Sequence, residues 1–167
     1  MRKQQGFSLV ELLLVVAVIL ILSAIAVPNI MRARIAANET SAIASLRNIA
    51  TAQAAYAETY PELGFAPDLN TLGPGPVAGN TTSNSTNALL LDNVLGCPAG
   101  VGTAYCEKSG YDFNITAATG TPLNVYSANG NPAAPGQSGT RYFYTDNSSV
   151  IRFNSTTIAS GTDQAIQ

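Results

Sequence analysis

FSLVELLLVVAVILILSAIAV, residues 7–27, is an apolar run broken by one charged side chain, Glu11. As an α-helix rising about 1.5 Å per residue it reaches roughly 30 Å, the thickness of the hydrocarbon layer of a bilayer. Residues 1–6, MRKQQG, precede it and are polar and basic through Arg2 and Lys3. A secretory signal also pairs a basic start with an apolar run, and Ser23, Ala24 and Ala26 offer small residues where such a signal is cut. The continuation argues against that cut. Beyond Pro28, residues 33–60 keep a helical period, with Ile35, Ile43, Leu46, Ile49, Ala50, Tyr56 and Tyr60 on one stripe. The apolar run is therefore read as the first half of a longer helix. Pro28, which lacks an N–H, is expected to kink or loosen it, and Pro61 to end it.

The chain of 167 residues suits one modest domain with an N-terminal extension. Charged residues are only 11% of it, and Ser, Thr, Asn and Gly stand in their place, as on chains that leave the cytoplasm. A net charge of −2 without a Lys/Arg cluster leaves no visible nucleic-acid site. Arg32 and Arg34 follow the apolar run, so each flank carries two basic residues and charge alone does not orient the helix. The polar remainder and the two cysteines favour the leader inside and the bulk outside. Cys97 and Cys106 flank a turn-forming stretch with Pro98, Gly100 and Gly102 and are read as a disulfide.

Residues 62–95, including GPGPVAGNTTSNSTN at 73–87, read as a long exposed loop. YDFNITA (111–117) alternates like a half-buried strand, and 140–146 with 149–154 form a hairpin about an Asp146-Asn147-Ser148 turn. Tyr142, Phe143 and Tyr144 would then alternate faces. The fold class is α+β, a long N-terminal helix packed against a small antiparallel sheet. Its parts are a leader (1–6), a membrane or filament-core helix (7–30), an amphipathic continuation (31–61) and a head (62–167).

A carboxylate in an apolar helix costs about 2.5 to 3.5 kcal/mol to leave unpaired in lipid. No Lys or Arg lies on the apolar segment, so its partner comes from elsewhere. If the chain were cut between Gly6 and Phe7, the new terminal amine of a neighbouring copy would sit in the same layer as Glu11. With no histidine, no phosphate-binding Gly-rich turn and no clustered carboxylates, the chain offers no catalytic constellation, no cofactor site and no metal site. Asp146, Asn147 and Asp163 are too few and scattered for calcium. Asn-x-Ser/Thr triplets such as Asn84-Ser85-Thr86 follow from composition.

The stretch KQQGFSLVELLLVVAVILILSAIAVP resembles the N-terminal signature of type IV pilins and of the related type II secretion pseudopilins. The resemblance covers about the first 55 residues. It implies that Gly6 is the last leader residue recognised by a prepilin peptidase, that Phe7 becomes an N-methylated terminus, that Glu11 serves assembly and that Pro28 is the site of helix unwinding. It further implies a single-pass inner-membrane precursor that contacts lipid, an assembly platform with its ATPases, minor pilins, and a homo-oligomeric helical filament. The expected product is a surface pilus for adhesion, twitching motility or DNA uptake. The alternatives are a periplasmic pseudopilus of a type II secretion system and a non-polymerising membrane-anchored binding module.

Overall fold

A computed structural model describes residues 7–75, 81–97, 105–117 and 120–166. The chain divides into two compact units, Met1–Arg34 and Ile35–Gln167. Helix α1 is Leu9–Thr59 and continues through Pro28. A one-turn helix α2, Leu69–Leu72, follows, capped by the Asp68 carboxylate, which accepts from Thr71 N at 2.8 Å. The strands are β1 (Cys106–Lys108), β2 (Tyr111–Ala117), β3 (Tyr126–Pro132), β4 (Tyr142–Asp146), β5 (Arg152–Asn154) and β6 (Gln164–Ala165). They form one sheet in sequence order, every neighbouring pair antiparallel. This is the α+β architecture that the sequence implies.

In the second unit the amphipathic stripe of α1 is the floor of the core. Ala42, Leu46 and Ile49 pack with Tyr111, Phe113, Ala128 and Phe143 of the sheet, while Ala52 and Tyr56 pack with Ala66, Leu72 and Ala88. Burying each large apolar side chain stabilises the fold by roughly 1.5 to 3 kcal/mol. Gly130 sits between two phenylalanines, in register with Phe113 on β2 and Phe143 on β4. A Cβ at Gly130 would lie 2.9 Å from Phe113 Cε1, so the ring occupies the space a side chain would need.

The β4–β5 hairpin turns as its residues require. Asp146 accepts at its backbone oxygen from Ser149 N and at Oδ1 from Ser148 N, both at 2.8 Å. Phe143 is buried and Tyr142 and Tyr144 are half-buried, the expected alternation. The two strands are shorter than expected, beginning at Tyr142 and Arg152.

The reading of 62–95 as an exposed loop needs correction. Ala66, Leu69, Leu72 and Leu95 are buried in the core. Gln53 explains how the segment docks. Its side-chain amide, fully buried, donates to Ala66 O at 3.0 Å and accepts from Ala66 N at 2.7 Å, so a side chain supplies both partners that a strand would otherwise give.

Candidate functional site

In the first unit, the helical residues of α1 have no side-chain cover. Phe7 is 83% exposed, Leu9 73%, and the aliphatic side chains onward to Met31 are exposed as well. The helix is long and apolar enough to cross a membrane by length and composition. Such a continuous apolar surface is far larger than a water-soluble monomer leaves bare, and it marks a site of burial against lipid or other chains. Glu11 lies in the first turn of α1, where an acidic side chain is favoured by the unpaired N–H groups of the helix end. Phe7 precedes the helix, and Leu12 N donates to Ser8 O at 3.2 Å. Gly6 lies outside the described residues. Asn29, next to Pro28, donates through Nδ2 to Ile25 O at 3.1 Å.

Cys97 and Cys106 are joined by a disulfide, their Cα atoms 5.6 Å apart. It lies beside an ion pair between Asp92 and Lys108, whose Nζ is 2.8 Å from Asp92 Oδ2. The Lys108 hydrogen bond holds the Asp92 carboxyl below its usual range, helped by Leu95 N. The segment before Cys97 is thus tied to β1 twice, covalently and by charge. Among the described residues no three His, Cys, Asp or Glu side chains gather as metal ligands. Asp163 accepts from Ser160 N at 2.7 Å and from Asn154 Nδ2 at 3.0 Å, and Asp146 serves its turn.

One polar residue escaped the reading of the sequence. Glu39 is only 6% exposed, on the buried face of α1. Its Oε1 accepts from Thr140 N at 2.9 Å, Thr140 Oγ1 at 2.8 Å and Arg141 N at 3.2 Å, and its Oε2 from Arg141 Nε at 2.8 Å. The Arg141 guanidinium also lies over the rings of Phe143 and Phe153, each centroid 5.4 Å away. Burial pushes the Glu39 carboxyl up, but the hydrogen bonds from Thr140 and Arg141 and the guanidinium charge outweigh it, and the group sits below its ordinary value. The signal was present: Glu39 stands four residues from both Ile35 and Ile43, on the apolar stripe.

Residues 1–27 match a family described as the prokaryotic N-terminal methylation motif. The type IV wide pilus major component PilA4 of Thermus thermophilus is 45% identical over 138 residues, covering 77% of this chain and 91% of that protein. The type IV major pilin protein PilA of Myxococcus xanthus is 37% identical over 73 residues, covering 40% of this chain and 33% of that protein. No solved structure matches the chain significantly. With its methylation motif, its exposed apolar helix and a relative matched along most of both chains, the protein belongs to the type IV pilin family, whose members are structural, non-enzymatic filament subunits.

Proposed function

We propose that the chain is inserted in the inner membrane as a prepilin, cut between Gly6 and Phe7, N-methylated at Phe7, and polymerised into a surface filament. The observation that carries this reading is the bare apolar face of residues 7–31 with a single acid, Glu11, five residues into the mature chain. In the membrane that face meets lipid; in the filament it meets the same face of neighbouring copies. Apolar burial at about 25 cal/mol per Å² gives the filament its cohesion. Glu11 pairs with the terminal amine of a neighbour and sets the stagger, since a charge left alone in that layer is expensive. The disulfide between Cys97 and Cys106 belongs to the exported head, in an oxidising compartment.

The filament serves adhesion, twitching motility or DNA uptake. A pilus is preferred to a secretion pseudopilus because the relatives that the chain matches are named as major pilus components. Mass spectrometry of the mature protein tests the reading: a chain beginning at methylated Phe7 supports it, and an intact leader or a cut near Ala26 defeats it. Electron microscopy of the deletion strain separates the alternatives, because loss of long surface filaments fits a pilus, and intact pili with failed enzyme secretion fit a pseudopilus.

A further inference from the structure

Glu107 and Asp112 stand five positions apart in the sequence, yet the sheet sets them directly opposite each other on β1 and β2. The turn between the strands fixes this register. Ser109 and Gly110 are its two central residues, with φ of 53° and 72°, the pair of left-handed conformations that a two-residue hairpin uses. Residues directly opposite hold their Cβ atoms about 4.5 to 5.5 Å apart on one face, so the two carboxylates are neighbours. Across its other edge Asp112 partners Asn131 of β3, which extends the row to a third strand. The flanking Cys106, Tyr111, Phe113 and Pro132 are buried, while Glu107 is exposed and Asp112 and Asn131 are half-buried, so the row lies on the face turned away from the core. Like charges directly opposite destabilise a sheet. Burial and the Glu107 charge together push the Asp112 carboxyl up. Among the described residues neither acid forms an ion pair, and the adjacent base, Lys108, is engaged at 2.8 Å with Asp92. Beside them Asn131 Oδ1 has less than 1 Å² open to solvent and accepts no hydrogen bond, a costly state for a buried oxygen. A cation is the one partner that answers two carboxylates and an unpaired amide oxygen together.

We propose that Glu107, Asp112 and Asn131 bind a calcium ion on the outer face of the sheet, with water completing its shell. The donors are all oxygen. The chain has no histidine and both cysteines are spent in the disulfide, so zinc and copper find no favoured ligand. Calcium accepts an irregular oxygen shell, whereas magnesium demands a near-ideal octahedron that three side chains fixed by a sheet register do not provide. The ion would fasten the edge strand β1 to β2 and β3, beside the disulfide at Cys106. The site belongs to a single chain and stands whether or not filaments form.

The test uses the full chain in a nonionic detergent, stripped of metal by a chelator and titrated with calcium chloride in a calorimeter. One ion per chain is expected, with a Kd of about 0.1 to 1 mM, the range of extracellular modules with few ligands. Glu107→Gln and Asp112→Asn are each expected to weaken binding about tenfold or more, and Asn131→Ala by a smaller factor of about three to ten, because charged ligands dominate calcium affinity. Thermal melting keeps misfolding apart from lost binding. Without calcium the Glu107→Gln and Asp112→Asn chains are expected to melt no lower than wild type, since the repulsion is gone. Calcium is expected to raise the melting temperature of the wild type and not that of the double variant. A wild type that binds no calcium at millimolar concentration overturns the proposal, as does binding that the double variant retains, which would place the ion elsewhere. Displacement of calcium by equimolar magnesium overturns the choice of metal. Absence of calcium binding together with failed filament assembly by Glu107→Gln would assign the carboxylates to a basic side chain of a neighbouring copy and likewise overturns it.

Discussion

Glu39 Oε2 and Arg141 Nε lie 2.8 Å apart, joining the buried face of α1 to the residue that leads into β4. The carboxylate side chain is 8% exposed and the arginine 35%, so the pair is desolvated on one side and hydrated on the other. Removing the acid leaves the Thr140 and Arg141 amides without an acceptor. Glu39→Ala is expected to cost about 2 to 3 kcal/mol, below the full penalty for a buried pair because Arg141 still reaches water. Glu39→Gln, which keeps an acceptor for Thr140, is expected to cost about half as much. Urea unfolding of the detergent-solubilised chain at pH 7 measures both.

The same contact makes stability depend on acid. The Glu39 carboxyl sits below its ordinary value of 4.5 in the folded chain, so the unfolded state binds more protons at low pH. Its contribution is fully present above pH 4.5 and is lost as pH falls through the folded value. A melting temperature that drops below pH 4.5 in the wild type, with a shallower drop in Glu39→Gln, is the expected result.

Gln53→Ala strips Ala66 of both its hydrogen-bond partners inside the core. Each stranded buried group costs about 1 to 3 kcal/mol, so a loss of about 3 kcal/mol is expected, with faster hydrogen exchange at Ala66 N. Exchange at the Ala66 amide no faster than in the wild type would show that another group takes over.

Gly130→Ala places a methyl group against the Phe113 ring and is expected to destabilise by about 1 to 3 kcal/mol, as overpacking does. Phe143→Ala opens a cavity on the other flank and is expected to cost about 3 to 5 kcal/mol. In the double variant the two costs are expected not to add, because Gly130 and Phe143 are register partners and Phe143 packs in the same core as Phe113.

Reducing the disulfide reopens a loop closed by cysteines 9 residues apart. Chain entropy for such a loop is worth about 2.5 kcal/mol. The Asp92–Lys108 pair still ties the same segments, and being exposed it recovers about 0.5 kcal/mol at low salt. Melting with and without reductant, at low and high ionic strength, checks both.

The long helix and the β4–β5 hairpin were legible because their signals are local. A 3.6-residue apolar period and an Asp-Asn-Ser turn need no knowledge of the rest of the chain. Strand β2 was legible too, since YDFNITA carries its own alternation. Strand β3 was not: Tyr-Ser-Ala-Asn-Gly-Asn-Pro has no β-branched residue and contains an Asn-Gly pair and a proline that read as a turn. It is a strand because β2 and β4 pair with it from both sides and because Phe113 needs the room at Gly130. The docking of residues 62–95 was hidden for the same reason, since it depends on Gln53, a polar residue whose partner lies 13 positions away. In the apolar half of α1, Glu11 stood out because it is an acid among aliphatics.

The stretch that follows α2 departs from and rejoins the core at one clasp. Gly75 N donates to Asn70 O at 3.0 Å, Ala88 N to Thr71 O at 2.8 Å, and Leu90 N to Leu72 O at 2.7 Å. Both ends of the excursion are thus fastened to backbone atoms of Asn70, Thr71 and Leu72. Lengthening it adds closure entropy only logarithmically. A change of length at this point is therefore expected to leave the helix and sheet that hold it in place, as a signboard is repainted without moving its post.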